Sequence, residues 1–279
     1  MARRLALVTG ASSGIGAAYA REFARRGWDL ALVARREDRL KDLAEELKAQ
    51  FGVDSLVIAA DLGDPKAPET IVKTITDQGR IIDGLVNNAG AGRPGAFVDL
   101  SWEDQAQFME LMVTSYLKLM HLVAKPMAER GYGRIINIAS VSALLPAANA
   151  HTRYSGTLYP GAKSLLIKVS EALGLELKDR NVHVTAVAPG YTWSEFHDVN
   201  GARTSVSSLP SFWMLTAEEV AVTGYDAVER GVPLRVPGAW YKFLVAMSRV
   251  LPDPVGQAIM RMQEKRMVAK AQAQSSAAS

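Results

Sequence analysis

The first chemistry the chain offers lies close to its start. Thr9-Gly10-Ala11-Ser12-Ser13-Gly14-Ile15-Gly16 sets three glycines and two serines between a short aliphatic run, Leu5 to Thr9, and an amphipathic stretch over residues 14–26. Glycines let a backbone turn tightly and approach a pyrophosphate, and a helix N-terminus supplies N–H donors to meet its charge. Such a run is weak alone; between the first strand and first helix of a βαβ unit it is far more specific than a plain turn. The next run, Asp29 to Ala34, is then expected to end beside the adenosine ribose of a bound dinucleotide. An acid there would accept from a free 2′-hydroxyl. This sequence instead reads Arg35-Arg36, with no acid until Glu37. A planar, permanently charged guanidinium suits a 2′-phosphate. NADP(H) is therefore the expected cofactor, with Arg35 as main contact and Arg36 as second candidate; the competing reading makes both ordinary surface residues at a helix start.

A second pair with chemical promise is Tyr159 and Lys163, four residues apart in a stretch patterned as a helix over 159–178. Residues so spaced share a helix face. A phenol titrates near about 10, too high for ready proton exchange at neutral pH. A neighbouring ammonium favours the phenolate and should lower that value. The same spacing is also common on solvated helix faces, so the pair gains meaning only from its surroundings.

The elements that must position these groups alternate regularly. Leu5 to Thr9, Asp29 to Ala34, Ser55 to Ala60, Gly84 to Asn87, Arg134 to Ala139 and Val182 to Ala188 are short and aliphatic without polar alternation. Strands buried on both faces read this way. Between them lie helical patterns over 14–26, 37–50, 66–78, 102–130 and 159–178, with Gly27, Gly52, Gly79 and Gly131 at the expected helix ends. Strand and helix in this alternation imply a doubly wound α/β fold, a parallel sheet with helices on both faces. Its ligands bind beyond the carboxyl ends of the strands, where strand order reverses. After Pro189 the pattern breaks. Residues 190–215 carry Trp193, Phe196, Phe212, Trp213 and Met214 among small polar residues, as a loop covering a pocket would.

Composition narrows the function classes. The 279 residues are 48% hydrophobic and 22% charged, enough for one large core. With no cysteine, disulfides and thiolate metal sites are excluded. The net charge of +3 comes from 32 basic and 29 acidic residues that are interspersed, so nucleic acid is not an expected partner. The opening Met-Ala-Arg-Arg resembles a leader, but the apolar run ends at Thr9-Gly10, too soon for one. No segment approaches the ~18 apolar residues of an integral membrane span. A soluble, cytoplasmic protein is expected: one domain over residues 1–265, a substrate lid at 190–215, a C-terminal helical segment at 239–265 and a flexible tail at 266–279.

Taken in order, Thr9-Gly-Ala-Ser-Ser-Gly-Ile-Gly16, Asp61-Leu62, Asn87-Asn-Ala-Gly90, Ser140, Tyr159-Pro-Gly-Ala-Lys163 and Pro189-Gly190 resemble the short-chain dehydrogenase/reductase family across about two thirds of the chain. The resemblance implies a Rossmann-type fold, hydride transfer between a nicotinamide and a carbonyl or secondary alcohol, and a homodimer or homotetramer. It implies that Tyr159 is the general acid or base, that Ser140 holds the substrate oxygen, and that Lys163 supports both the phenol and the nicotinamide ribose. Gly10, Ser12, Ser13, Gly14, Ile15 and Gly16 would cradle the pyrophosphate. Asp61, with Leu62, would contact adenine; Asn87, Ala89 and Gly90 would flank the cofactor; Pro189 and Gly190 would shape the loop beneath the nicotinamide. The carboxamide contact falls to Ser194, with Thr192 as alternative.

Two departures stand out. Where many relatives carry a helix asparagine that completes a proton relay, Glu110-Leu-Met-Val-Thr-Ser115 registers Met112, whose thioether is at best a weak acceptor. Thr114 and Ser115 point in other helical directions. The stretch between Ser140 and Tyr159 is also long, as an insertion over the pocket mouth would make it. Tyr154 lies at a more usual distance but has Leu158 four residues on, and Ser142 is the fallback for Ser140.

Other constellations carry less. His121, His151, His183 and His197 show no metal-ligand spacing, and no metal is expected. Residues 239–251 read as a packed helix near the pocket, a subunit contact or an interfacial membrane helix. Two functions remain open: an NADP(H)-dependent reductase or dehydrogenase acting on a moderately large apolar substrate, and an NADP(H)-binding sensor with little turnover.

Overall fold

A computed structural model describes residues 3–146, 156–193 and 210–251, with positions 255, 256, 258 and 262. Seven strands form one parallel sheet in the order β3-β2-β1-β4-β5-β6-β7. These are β1 (Leu5–Thr9), β2 (Asp29–Ala34), β3 (Ser55–Ala59), β4 (Ile82–Asn87), β5 (Gly133–Ile138), β6 (Val182–Val187) and β7 (Leu234–Arg235). The order reverses between β1 and β4, so a cleft opens there at the carboxyl ends.

Helices α1 (Gly14–Arg25) and α2 (Glu37–Phe51) cover one face, α3 (Ala67–Asp77), α5 (Ser115–Arg130) and α6 (Leu158–Glu176) the other. The strands alternate their side chains between two cores: Ala6, Val8, Leu30 and Leu32 face one, Leu5, Leu7, Ala31 and Val33 the other. That two-sided burial is why the strand segments lack polar alternation. The expected helix ends hold, with Gly52 and Gly131 in left-handed conformation at φ 65° and 70°.

The structure adds elements that periodicity did not give. A helix α7 (Ala217–Glu229) returns to pack beside α1 and leads into β7. The helical pattern over 102–130 is three pieces: α4 (Trp102–Met109), one π-helical turn (Glu110–Thr114) and α5. Helix α8 (Ala239–Val250) falls within the helical segment expected at 239–265.

One polar network crosses the core. Asn87 on β4 and Asn137 on β5 lie in register, both fully buried. Asn87 Nδ2 donates to Asn137 Oδ1 at 2.9 Å, and Asn137 Nδ2 donates to Ser170 Oγ at 2.8 Å. Removing the middle member strands the others without water to replace it. Asn137→Ala should cost about 2–3 kcal/mol in a urea unfolding titration; a loss under about 0.5 kcal/mol would show that the network does not stabilise the sheet.

Candidate active site

The cleft begins at a knot between β1 and β4. Thr9 Oγ1 donates to the Val86 carbonyl at 3.2 Å and accepts from the Asn88 and Ala89 N–H groups at 2.9 and 3.0 Å. Asn88 Nδ2 donates back to the carbonyls of Thr9 and Gly10 at 3.0 and 3.3 Å. The approach is too close for a side chain at residue 10. A Cβ there would stand 2.7 Å from Asn88 Nδ2 and 2.9 Å from Ala89 Cα, and Gly10 has φ +64°. At Gly16 a Cβ would collide with the Gly10 carbonyl. Ser13 caps α1 in extended conformation without a side-chain cap bond, which leaves first-turn N–H groups to the loop. Ile15 packs on the core beside Gly14, where the helix starts.

The two arginines separate. Arg36 lays its guanidinium on the loop, donating to Ser12 Oγ at 3.0 and 3.3 Å and to Ser13 Oγ at 3.1 Å. Arg35 has a largely exposed side chain whose Nη1 lies 4.0 Å from Asp61 Oδ2. Asp61 also accepts from the Gly63 N–H at 2.9 Å, and Leu62 is buried in the core. Helix N-terminus, serine hydroxyls and two guanidiniums thus gather at the loop and the end of β2, groups of the kind that bind anions.

Across the cleft, β5 delivers Ser140 and the first turns of α6 deliver Tyr159 and Lys163. Ser140 and Tyr159 share a side-chain hydrogen bond. Ser142 is not a rival to Ser140 but its support, donating to Ser140 Oγ from its N–H at 3.2 Å and from its hydroxyl at 3.0 Å. Lys163 is buried beneath them, with Nζ donating to the Ile138 carbonyl at 2.7 Å. The same Nζ stands 5.7 Å from the centroid of the Tyr159 ring and 5.2 Å from that of Tyr116.

Beside Lys163 alone the phenol is not lowered. Burial pushes Tyr159 up to about 12, the Ser140 hydrogen bond opposing it only in part. Burial also pushes Lys163 down to about 7. The physical reason is common to both: a dry pocket disfavours phenolate and ammonium alike. Tyr159 is thus held as a protonated acid.

Other expected residues are distributed unevenly. Ala89 and Gly90 lie in the cleft at the end of β4, but Asn87 is turned into the core toward Asn137; Asn88 is the asparagine that reaches the phosphate loop. The Asn87 side chain thus serves the sheet, because alternate side chains of a strand end face opposite sides. Met112 sits in the π-turn, buried among Phe108, Val113 and Ala162, with its sulfur 3.1 Å from where a Gly90 Cβ would be. Thr114 is exposed and Ser115 donates back to the Leu111 carbonyl at 2.7 Å, so neither replaces the relay group. The residue that pattern reading missed is Tyr116. It lies four residues after Met112 on the same helical side, its ring under Lys163 and its hydroxyl donating to the Ala89 carbonyl at 2.8 Å.

The segment expected to cover the pocket is described at its two ends, residues 190–193 and 210–215. Pro189 accepts from the Val141 N–H at 3.0 Å. Thr192 is buried, with its hydroxyl turned to the Gly190 carbonyl at 3.0 Å. Leu215 N–H donates to Tyr191 and Trp193 N–H to Leu215, both at 2.9 Å. Tyr241 of α8 pins both ends: its hydroxyl accepts from Tyr191 N–H at 2.9 Å and donates to the Trp213 carbonyl at 2.6 Å. A Cβ at Gly190 would collide with that ring. Ser194, Tyr154, His151, His197 and the 266–279 tail lie outside the described residues. His121 is exposed on α5 and His183 Nδ1 meets the Val228 carbonyl at 2.8 Å. Among the described residues no group of three His, Cys, Asp or Glu could hold a metal, and no helix is long and apolar enough to cross a membrane.

Comparison with known proteins agrees with this geometry. The short chain dehydrogenase family model matches residues 4–203. Sulfoacetaldehyde reductase 2 of Chromohalobacter salexigens is 35% identical over 196 residues, which is 69% of this chain and 74% of that one. The bulky-bulky ketone specific alcohol dehydrogenase of Comamonas testosteroni superposes with a TM-score of 0.72 at 32% identity, covering 88% of this chain and 92% of that one. A short-chain dehydrogenase of Sphingobium yanoikuyae, solved in complex with NADPH, has a TM-score of 0.74 at 31% identity over 88% and 94% of the two chains.

The discharged lysine has a measurable signature. Between pH about 7 and about 10.5 the unfolded chain holds a proton on Lys163 that the folded chain lacks, so this group adds stability as pH rises through that window. Below it the burial penalty is present in full. Lys163→Met should remove that slope, so that thermal unfolding at pH near 7 and near 10 shows a smaller gain for the variant by a few kcal/mol; equal slopes would mean the ammonium is not discharged by burial.

Proposed function

Because the chain belongs to the short-chain dehydrogenase/reductase family, a family of oxidoreductases that bind nicotinamide cofactors, we propose that it is an NADP(H)-dependent enzyme interconverting a carbonyl and a secondary alcohol on a moderately large apolar substrate. The observation that carries this reading is the hydrogen-bonded pair of Ser140 and a protonated Tyr159 above buried Lys163. In reduction, bound NADPH supplies the hydride. Ser140 holds the substrate oxygen as negative charge develops on it, and Tyr159 delivers the proton to that atom. Lys163 orients the phenol from below, and regains its charge more readily once anionic groups enter the pocket.

Three observations support the finer parts. The Arg35 and Arg36 pair beyond β2, where the sequence has no acid before Glu37, favours a 2′-phosphate, and a relative of 31% identity was solved with NADPH. The ends of the expected lid carry Trp193, Phe212 and Trp213, and a relative of 32% identity is specific for bulky-bulky ketones. Asp61, Leu62, Ala89, Gly90, Pro189 and Gly190 are assigned to the cofactor, Thr192 or Ser194 to its carboxamide. A homodimer or homotetramer in the cytoplasm is the accompanying proposal. A sensor without turnover would keep the phosphate loop but has no use for the Ser140–Tyr159–Lys163 set.

Tyr159→Phe keeps the packing and removes the transferable proton. Turnover of aryl or alicyclic ketones with NADPH should fall by about 10²–10⁴, while NADPH affinity stays within roughly twofold. Turnover equal to the wild type would reject Tyr159 as the acid.

A further inference from the structure

Helix α8 is held to the domain by one face, and its other face has no cover among the described residues. Tyr241 and Val245 are buried, whereas Phe243, Met247 and Val250 are 54%, 37% and 78% exposed. These three follow a spacing of four and three residues and form a single stripe along the helix, joined by exposed Ala239 and Ala246. Aromatic rings extend the stripe beyond the helix. Trp240 lies 5.8 Å from Phe243 and 5.5 Å from both Phe212 and Trp213, centroid to centroid. Phe212 is itself 63% exposed. A contiguous apolar surface of this kind, rich in Trp and Phe, marks a docking face rather than ordinary exposure.

The charges around it say what docks. Lys242 and Arg249 stand two helical turns apart along the border of the stripe, both exposed and neither in an ion pair among the described residues. Helix α8 contains no acid. Two copies of this chain meeting helix to helix through a twofold contact would confront Lys242 and Arg249 with no countercharge on either side. An anionic lipid surface supplies it. Tryptophan and phenylalanine seat well at the headgroup level, and cations beside them meet the lipid phosphates. Twelve residues are too few to span a bilayer, so the helix would lie in the interfacial plane.

We infer that the α8 face, with Phe212, Trp213 and Trp240, docks the protein on anionic membrane surfaces. Tyr241 of the same helix hydrogen-bonds to Tyr191 and Trp213, so the docking face adjoins residues 191–193 and 211–215. The inference stands apart from the catalytic assignment.

The test is sedimentation of the full chain with phosphatidylcholine vesicles, with and without phosphatidylglycerol. Binding is expected only with the anionic lipid, and should weaken by roughly fivefold for each of Lys242→Gln and Arg249→Gln. A Phe243→Asp, Met247→Asp double variant should weaken it by at least roughly tenfold, with its unfolding temperature unchanged because both positions face solvent. No partition into anionic vesicles, or equal partition by the double variant, overturns the proposal. So does a concentration-dependent dimer that the double variant abolishes without any lipid binding by the wild type, since the face would then belong to a second copy.

Discussion

The hydroxyl of Thr9 is the contact on which the rest of the site depends. It engages three backbone groups of the neighbouring strand end, at the point where strand order reverses. That knot sets the gap between the phosphate loop and the Asn88–Gly90 segment, and the gap in turn demands glycine at positions 10 and 16. From there a continuous series of contacts leads to the chemistry. Ala89 takes a hydrogen bond from Tyr116, Tyr116 lies under Lys163, and Lys163 reaches the carbonyl of Ile138 just before Ser140. The cofactor loop and the proton donor are therefore parts of one packed unit, although they lie some 150 residues apart in sequence.

Burial has opposite consequences at the two ends of this unit. At the phosphate loop the charged groups remain near water, Arg35 and Arg36 among them, and are free to exchange their present partners for an anion. Beneath the catalytic pair the same desolvation that shapes a dry pocket keeps the phenol protonated and strips charge from the lysine. A protonated Tyr159 is the form that donates to a substrate oxygen in the proposed reduction. Met112 fits this picture. With no polar atom at that helix position, Lys163 is tied to the main chain of β5 instead of to a relay through α4 and α5.

Much of this was legible in the sequence, and the failures have physical causes. Two-sided burial left a clear mark on the strands, and the glycine-serine run announced a tight strand-to-helix turn. The π-turn at Glu110–Thr114 was hidden because an added residue within a helix hardly disturbs its apolar pattern. Tyr116 was missed because its role is a contact with elements distant in sequence. The bonds of Asn88 to the phosphate loop were not foreseen, because one residue at a strand end decides which face a side chain takes. Helix α7 was overlooked even though Thr216 and Glu219 spell a capping box, which the structure forms in full. The titration of Tyr159 and Lys163 was read from charge alone; the magnitude of desolvation is a property of the folded pocket and has no local signature.

The central claim is that the end of β2 recognises a 2′-phosphate through arginine. The most direct measurement is calorimetric titration of the purified protein with NADPH and with NADH, for the wild type, Arg35→Ala and Arg36→Ala. The account predicts that NADPH binds more tightly than NADH by roughly 10- to 100-fold, and that loss of either guanidinium narrows this gap while leaving NADH nearly unchanged. Equal wild-type affinity for the two cofactors, or a gap that survives both substitutions, would contradict it.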